Sequence, residues 1–495
     1  MRAELGQVKT AANGAAPRVA RRQFLRAGVA LTAGALVPGL TGCRTRQIEI
    51  PKIIEKEVIK VVTQIVQQTV IVAATPEADP QEPAAVATPT TPAPEPPTSI
   101  TIDGMRHGWH AYAQRMAPTF QELFPRTRLT WRSVTPWPQF AQRLAALAAA
   151  GDLGDLVEAP LGTPIRRWAD DQIITPLDDL IEDEGYDLQG VFAAALDQAS
   201  HKGSLYGVPL VAHPGDCLIL VNSEKVAPEQ ALENGALRED ISELSQLGNL
   251  AAEWAYLDDV SMPAAWSLLG AFGARWLNQW GTQSTLQTSP SERALEWAAT
   301  VRRQGLAPPL GHAAHPPETL YSRGELAILR TSFAKLWLLK RTDRLPESTV
   351  AGLMGSYGEA EAVTPSGEVV GVAYCMTPSC QAPELALQWI KFMTTREMGV
   401  QMLLGGYGPP GARLTAWHDP RVLDYMPACA PLGERCAALT TQPLPWNLAT
   451  SACFVAWNQR IDALWDAETP VNELASELSR AITEILSLPS DQTSL

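Results

Sequence analysis

From Ser99 to Val157 the apolar residues switch repeatedly between the period of a strand and the period of a helix, and this restricts the chain to a sheet covered by helices. Ser99-Ile100-Thr101-Ile102 alternates as a strand, and Ala113 to Leu123 reads as a helix that stops before Pro125. Arg128-Leu129-Thr130-Trp131 is a second strand, and Phe140 to Ala150 an Ala-rich helix ended by Gly151. Leu156 and Val157 then suit a short buried strand. This order predicts an α/β sheet with helices on both faces, in which ligands gather at the carboxyl ends of the strands. The body, residues 99–495, is about 400 residues long, more than one hydrophobic core usually serves, so at least two lobes are expected. Beyond Ser245 the pattern reads as mostly helical, with Ser291 to Gln304, Pro383 to Leu404 and Val471 to Leu486 the clearest amphipathic segments.

The residues before the body do not read as a folded domain. Residues 73–98 are rich in Pro, Ala, Thr and Glu, a composition that buries too little apolar surface to fold and favours an extended tether. Residues 48–72 are rich in Val and Ile, with Ile54, Val58, Val61, Ile65 and Val72 near heptad spacing, which suits a short helical stalk or a self-associating segment. The many β-branched residues there lower helix propensity. Ala27 to Leu40 is uncharged and too short to span a bilayer comfortably, as expected of an export signal. Leu40-Thr41-Gly42-Cys43 resembles a bacterial lipobox, which implies lipidation at Cys43. Ala20-Arg21-Arg22-Gln23-Phe24-Leu25-Arg26 resembles a twin-arginine export signal built on Arg21 and Arg22, with Ala20 and Arg26 replacing the usual Ser or Thr and Lys. The expected organisation is a signal peptide over 1–42 and a lipid-anchored stalk and linker over 43–98. The body would then stand on the outer face of the cytoplasmic membrane, at the cell surface or in the periplasm.

Charge narrows the partners. Of 39 basic and 53 acidic side chains, six and one fall in residues 1–42, so a chain starting at Cys43 carries a net charge of −19. Such acidity argues against binding a phosphate backbone, and no nucleic-acid partner is expected. Six further cysteines, Cys217, Cys375, Cys380, Cys429, Cys436 and Cys453, would meet an oxidising compartment. Cys375 with Cys380 and Cys429 with Cys436 are the local candidates for disulfides, although buried free thiols are common and spacing does not choose among pairings. No zinc spacing is present, and His312 and His315 beside Pro316 and Pro317 read as loop residues. Neither a metal nor a cofactor is expected.

The chain lacks a Gly-x-Ser-x-Gly elbow, a His-Glu-x-x-His motif and a phosphate-binding Gly-rich Lys loop. Gly406-Tyr407-Gly408-Pro409-Pro410-Gly411 matches Gly-x-Gly-x-x-Gly formally, but it follows a helix and its prolines remove amide donors, so it reads as a turn. No enzyme is expected.

Several motifs, in order along the body, resemble the extracellular solute-binding proteins (family 1, carbohydrate type) of bacterial ATP-driven (ABC) importers. They are Gly151-Asp152-Leu153-Gly154-Asp155-Leu156-Val157, Ile173 to Leu180 with its Leu-Asp turn, and Gly203-Ser204-Leu205-Tyr206-Gly207-Val208-Pro209. Leu218 to Lys225 follows, with Val221 in place of a common Tyr, then Gly324-Glu325-Leu326-Ala327-Ile328 and Ala386 to Thr395. The resemblance implies a two-lobed, periplasmic-binding-protein-like (type II) α/β fold with a ligand cleft between lobes and closure about a hinge. Crossings are expected near Pro209, Ala351 and Leu404, giving one lobe from 99–210 plus 351–405 and another from 211–350 plus 406–495. The implied function is capture of a solute and delivery to the permease subunits of an ABC transporter, without covalent chemistry.

All 15 Trp lie in the body, and indole faces suit the C–H faces of a sugar while polar neighbours bind its hydroxyls. Trp297, Trp389 and Trp168 are expected in the core. Where the resemblance places its cleft, the candidate ligand contacts are His107 and Trp109 after the first strand, Trp137 between two prolines, Glu158 at the third strand, and His213 and Asp216 after the first crossing. Trp276, Phe333 and Tyr407 are added by similar position. A neutral sugar or oligosaccharide is the expected solute, with a polyol, glycerol phosphate or compatible solute as alternatives. Two other readings stay open: a surface sugar receptor without transport, and a lipid-anchored glycoside hydrolase using a carboxylate pair such as Asp170 and Asp171.

Overall fold

The computed structural model describes residues 98–487 apart from 135–136, 241–251, 258–261, 279–281, 308–315, 358–364, 440–449 and 466–468. Arg21, Arg22, Cys43, the Val/Ile segment, His312 and His315 lie outside the described residues, as does the tether up to residue 97.

The alternation seen in the sequence becomes β1 (Thr98–Met105), the helix Gly108–Leu123, β2 (Thr127–Val134), the helix Trp137–Ala150 and β3 (Leu156–Pro160). The three strands are parallel neighbours. Ile100, Ile102, Leu156 and Val157 are fully buried, as expected of strands covered on both faces. The first helix starts five residues before the expected Ala113, with His107 in extended conformation as its N-cap residue. The second starts at Trp137, where the following Pro138 sits in the first turn, a position that needs no amide donor.

A two-residue hairpin follows, β4 (Ser200–His201) and β5 (Ser204–Leu205), then β6 (Gly207–Pro214) and β7 (Leu218–Asn222). The remaining strands are β8 (Leu232–Glu233), β9 (Ala236–Leu237), β10 (Trp254–Leu257), β11 (Leu326–Thr331), β12 (Thr349–Gly355), β13 (Pro365–Ser366) and β14 (Val369–Met376). They form two large sheets. The first has the order β2-β1-β3-β14-β6, and the second the order β10-β11-β7-β12-β9-β8 with β13 on β12. Several strands therefore follow Ser245, where the sequence reads as mostly helical; Leu326–Thr331 is a short, wholly buried apolar run, which periodicity alone does not separate from a buried helix.

The chain passes between the sheets at residues 215–217, joining β6 to β7, and again at 367–368, joining β13 to β14. Residues 351–355, expected in the first lobe, instead belong to β12 and pair with β7 of the second sheet. The passage at 215–217 likewise lies beyond the expected Pro209, because β6 stays paired with β14 through Pro214.

Two motifs turn out to be structural. Asp155 of the Gly151–Val157 segment accepts the Thr101 amide at 2.7 Å, and Asp178 of the Leu-Asp turn accepts the Leu205 amide at 3.1 and 3.2 Å through its two oxygens. Buried Asp103 of β1 takes a two-pronged contact from Arg132 of β2, 2.7 Å to each oxygen, which ties the two strands at the register the backbone sets. All six body cysteines are free thiols, so neither Cys375–Cys380 nor Cys429–Cys436 is bridged. Cys217, Cys375, Cys429, Cys436 and Cys453 are buried and pack as small apolar side chains.

Candidate functional site

β6 runs parallel to β1, β2 and β3, because β14 is antiparallel to both β3 and β6. The carboxyl ends of these four strands therefore share one edge, which carries His107, Ser133, Glu158 and His213. In the second sheet, Leu218 at the start of β7 pairs with Thr331 of β11 and Leu353 of β12, so the carboxyl ends of β11 and β12 lie at the link from β6. The two edges meet at residues 214–218, the position where sheets of this kind hold ligands.

On the first edge, exposed His107 stacks on Trp109 with ring centroids 4.5 Å apart and planes at 26°. Trp109 Nε1 is buried with no acceptor among the described residues. Beneath them, His110 occupies the first turn of the helix and its imidazole is held at both nitrogens. Nδ1 lies 2.9 Å from Glu158 Oε1 and Nε2 lies 2.5 Å from Ser133 Oγ, with Gln114 Nε2 3.4 Å from the same Nε2. His110 is 2% exposed and Glu158 is 0% exposed, so Glu158 supports the edge from within rather than facing a solute directly. Burial pushes its carboxyl above the usual range, and the His110 contact works in the opposite direction.

The loop after Leu404 bridges this edge and the link. Tyr407 lies 5.3 Å from Tyr112 ring to ring, and Arg115 donates to its hydroxyl at 3.3 Å. The loop backbone comes so close to Gly108 that a Cβ there would meet Tyr407 O at 1.9 Å, which is why glycine opens this helix. From the other side Arg341, in the helix Phe333–Arg341 that follows β11, donates to Gly406 O at 3.4 Å. Further on, Gly411 O accepts the Ala212 amide of β6 at 3.3 Å.

At the link, His213 donates Nδ1–H to Pro214 O at 2.8 Å, leaving Nε2 as an acceptor in the neutral ring that burial favours. Its ring lies 5.7 Å from Phe333, which packs on Trp417 at 5.0 Å and is 1% exposed. Phe333 thus forms the apolar backing of the link. Asp216 sits between β6 and β7 and is half-buried.

The structure therefore brings His107, Trp109, Glu158, His213, Asp216, Phe333 and Tyr407 to the two converging edges and the loop that joins them. Trp137 opens its helix at the end of β2. Trp276 belongs elsewhere: it is 0% exposed, 5.9 Å from Trp266 and 6.2 Å from Phe454, and so fills the core around the helix Met262–Ala271. His110 and Ser133 were missed from sequence. Their partners are 48 and 23 residues apart, and no local motif announces the contact.

Two α/β sheets linked by short crossings, with polar and aromatic side chains at their facing carboxyl edges, define a two-lobed solute-binding protein. The chain belongs to the bacterial extracellular solute-binding proteins, whose family model matches residues 115–420, more than half of it. No curated protein matches the chain. Among solved structures it is similar to an ABC substrate-binding protein from Listeria monocytogenes in complex with cycloalternan, at 16% identity and a TM-score of 0.59, over 79% of this chain and 100% of that one. It is similar to the sugar-binding protein MalE from Xanthomonas citri, at 16% identity and a TM-score of 0.64, over 79% and 98% of the two chains. A family 1 extracellular solute-binding protein from Alicyclobacillus acidocaldarius gives 15% identity and a TM-score of 0.65, over 80% and 100%.

Proposed function

We infer that this protein is a lipid-anchored receptor that captures a sugar or oligosaccharide between two lobes and hands it to the permease of an ABC importer. The observation that carries this reading is the convergence of His107, Trp109, His213 and Tyr407 on the facing strand ends and their bridging loop. Aromatic faces there would cover the apolar side of a sugar ring, and the imidazole of His213 would accept one of its hydroxyls. The two crossings at 215–217 and 367–368 serve as the hinge. Cycloalternan in the Listeria protein and the sugar-binding name of the Xanthomonas protein point to the same solute class. Export on Arg21 and Arg22, lipid on Cys43 and a tether up to residue 97 would hold the body above the membrane beside its permease.

Titration calorimetry of the full-length protein against maltose, cyclic oligosaccharides and D-mannitol tests the reading. Saturable binding without product, weakened at least tenfold by Trp109→Ala, is expected. Product formation would move the protein to the glycoside hydrolases. A wild-type affinity in the Trp109→Ala variant would remove this edge from the site.

A further inference from the structure

The imidazole of His110 is gripped along a single line of hydrogen bonds, from buried Glu158 through both ring nitrogens to Ser133, and Ser133 is the one member of the line that keeps some exposure at the strand edge. We propose that Ser133 is a solute-contacting hydroxyl whose polarity is fixed as a hydrogen-bond acceptor by His110 and Glu158, so that the site selects neutral, hydroxyl-bearing solutes and rejects groups that only accept, such as carboxylates and phosphates.

The polarity follows from what each atom can do. An ionised Glu158 has no proton to give, so the 2.9 Å contact uses Nδ1–H as the donor. Burial, the largest influence on Glu158, raises its carboxyl, while the His110 contact and then the Met105 backbone amide favour the ionised form. Nε2 is then a lone pair, and two groups point at it. One is Ser133 Oγ at 2.5 Å and the other is the Gln114 amide nitrogen at 3.4 Å, which has only protons to offer. The reversed arrangement, a neutral Glu158 donating to Nδ1 and Nε2–H facing outward, would set that N–H against the Gln114 amide protons. With its own proton committed to Nε2, Ser133 Oγ meets a solute through its lone pairs alone. A sugar hydroxyl can donate to them, whereas a carboxylate or phosphate oxygen meets lone pair against lone pair. His110 and Glu158 are positioning residues in this scheme, since neither touches the solute.

The inference rests on the solute-capture reading, and its test separates the two. Long-range ¹⁵N NMR of the histidine-labelled full-length protein at pH 7 reports which ring nitrogen of His110 carries the proton. The Nδ1–H tautomer is expected, with loss of that preference in Glu158→Gln; an Nε2–H ring or an imidazolium in the wild type overturns the fixed polarity. In parallel, maltose and D-mannitol are titrated beside D-glucuronate and glycerol 3-phosphate. The neutral probes should bind at least tenfold more tightly than the anions, Ser133→Ala should weaken them by about tenfold, and Ser133→Thr, which keeps the hydroxyl, should restore most of the loss. A preferred anion would leave capture standing and overturn the selection. Equal affinity in Ser133→Ala would remove the contact. Silence from both neutral probes, with the Nδ1–H tautomer present, would overturn both the selection and the sugar reading.

Discussion

Gly104 is where a single side-chain carbon decides whether the acid–imidazole pair can exist. A Cβ at this position would lie 2.4 Å from Glu158 Oε2 and 2.9 Å from His110 Nδ1. Neither neighbour is the free end of a flexible chain, because both are buried in a bonded line. Gly104→Ala is therefore expected to destabilise the fold by about 1–3 kcal/mol through overpacking, read as a lower urea midpoint with an unchanged slope. An unchanged midpoint would mean that the pair has room to move. The same residues show what sequence can reveal at this scale. Glu158, His107 and Trp109 stand beside strand ends, where order along the chain already predicts a ligand edge. His110 and Ser133 also lie near strand ends, but their meeting is not legible there, because it depends on how the helix Gly108–Leu123 is seated over β2. Trp276 erred in the other direction: an indole suits a sugar face and a core equally, and burial beside Trp266 chose the core.

Between helices, charge and capping do work that hydrophobic periodicity does not register. The amphipathic segment Pro383 to Leu404 forms two helices, Pro383–Met393 and Arg396–Leu404. The break falls at Thr394 and Thr395, where Thr395 Oγ1 accepts the Met398 amide at 3.3 Å as an N-cap. The second helix is then fastened to the helix Pro420–Tyr425 by charge. Arg421 reaches both oxygens of Glu397 at 2.9 and 2.7 Å, and Asp419 accepts from Arg396 at 2.6 Å and from Arg421 at 2.9 Å. Asp419 is 1% exposed and also caps its own helix by accepting the Arg421 amide. Hydrogen bonds from Arg421 hold its carboxyl below the ordinary range, so this stabilisation is present above the unfolded pKa and is lost as pH falls through the folded one. Asp419→Ala removes the cap and leaves two guanidinium groups facing a vacated site. A loss of about 1–2 kcal/mol is expected at pH 7 by urea denaturation, shrinking toward pH 3, because the guanidinium groups left behind stay partly in water and Arg421 keeps Glu397. A loss that does not change with pH would assign the effect to the cap alone.

For the whole molecule, each of the two crossings between the sheets carries an acid, and the buried one, Glu368, sets a pH dependence opposite to that of Asp419. Glu368 precedes β14 on one crossing and Asp216 lies on the other. The backbone joins them, since Glu368 O accepts the Gly215 amide at 3.0 Å, and Cys217 Sγ lies 3.6 Å from the same oxygen. Glu368 is 5% exposed; burial first, and then the Asp216 charge, push its carboxyl up to about 8, while Arg330 at the end of β11 works against them. An unfolded glutamate titrates near about 4.3. Between those values the folded chain keeps a proton that the unfolded chain has released, so stability falls as pH rises, by at most about 1.4 kcal/mol per pH unit for this one group. Glu158, also raised by burial, adds a change of the same sign, so the wild-type profile alone does not isolate Glu368. Glu368→Gln mimics the protonated side chain and does. Its stability should match the wild type at about pH 4 and below and exceed it progressively from there up to pH 8, in urea titrations run across that range. A constant offset would show that Glu368 does not titrate in the window.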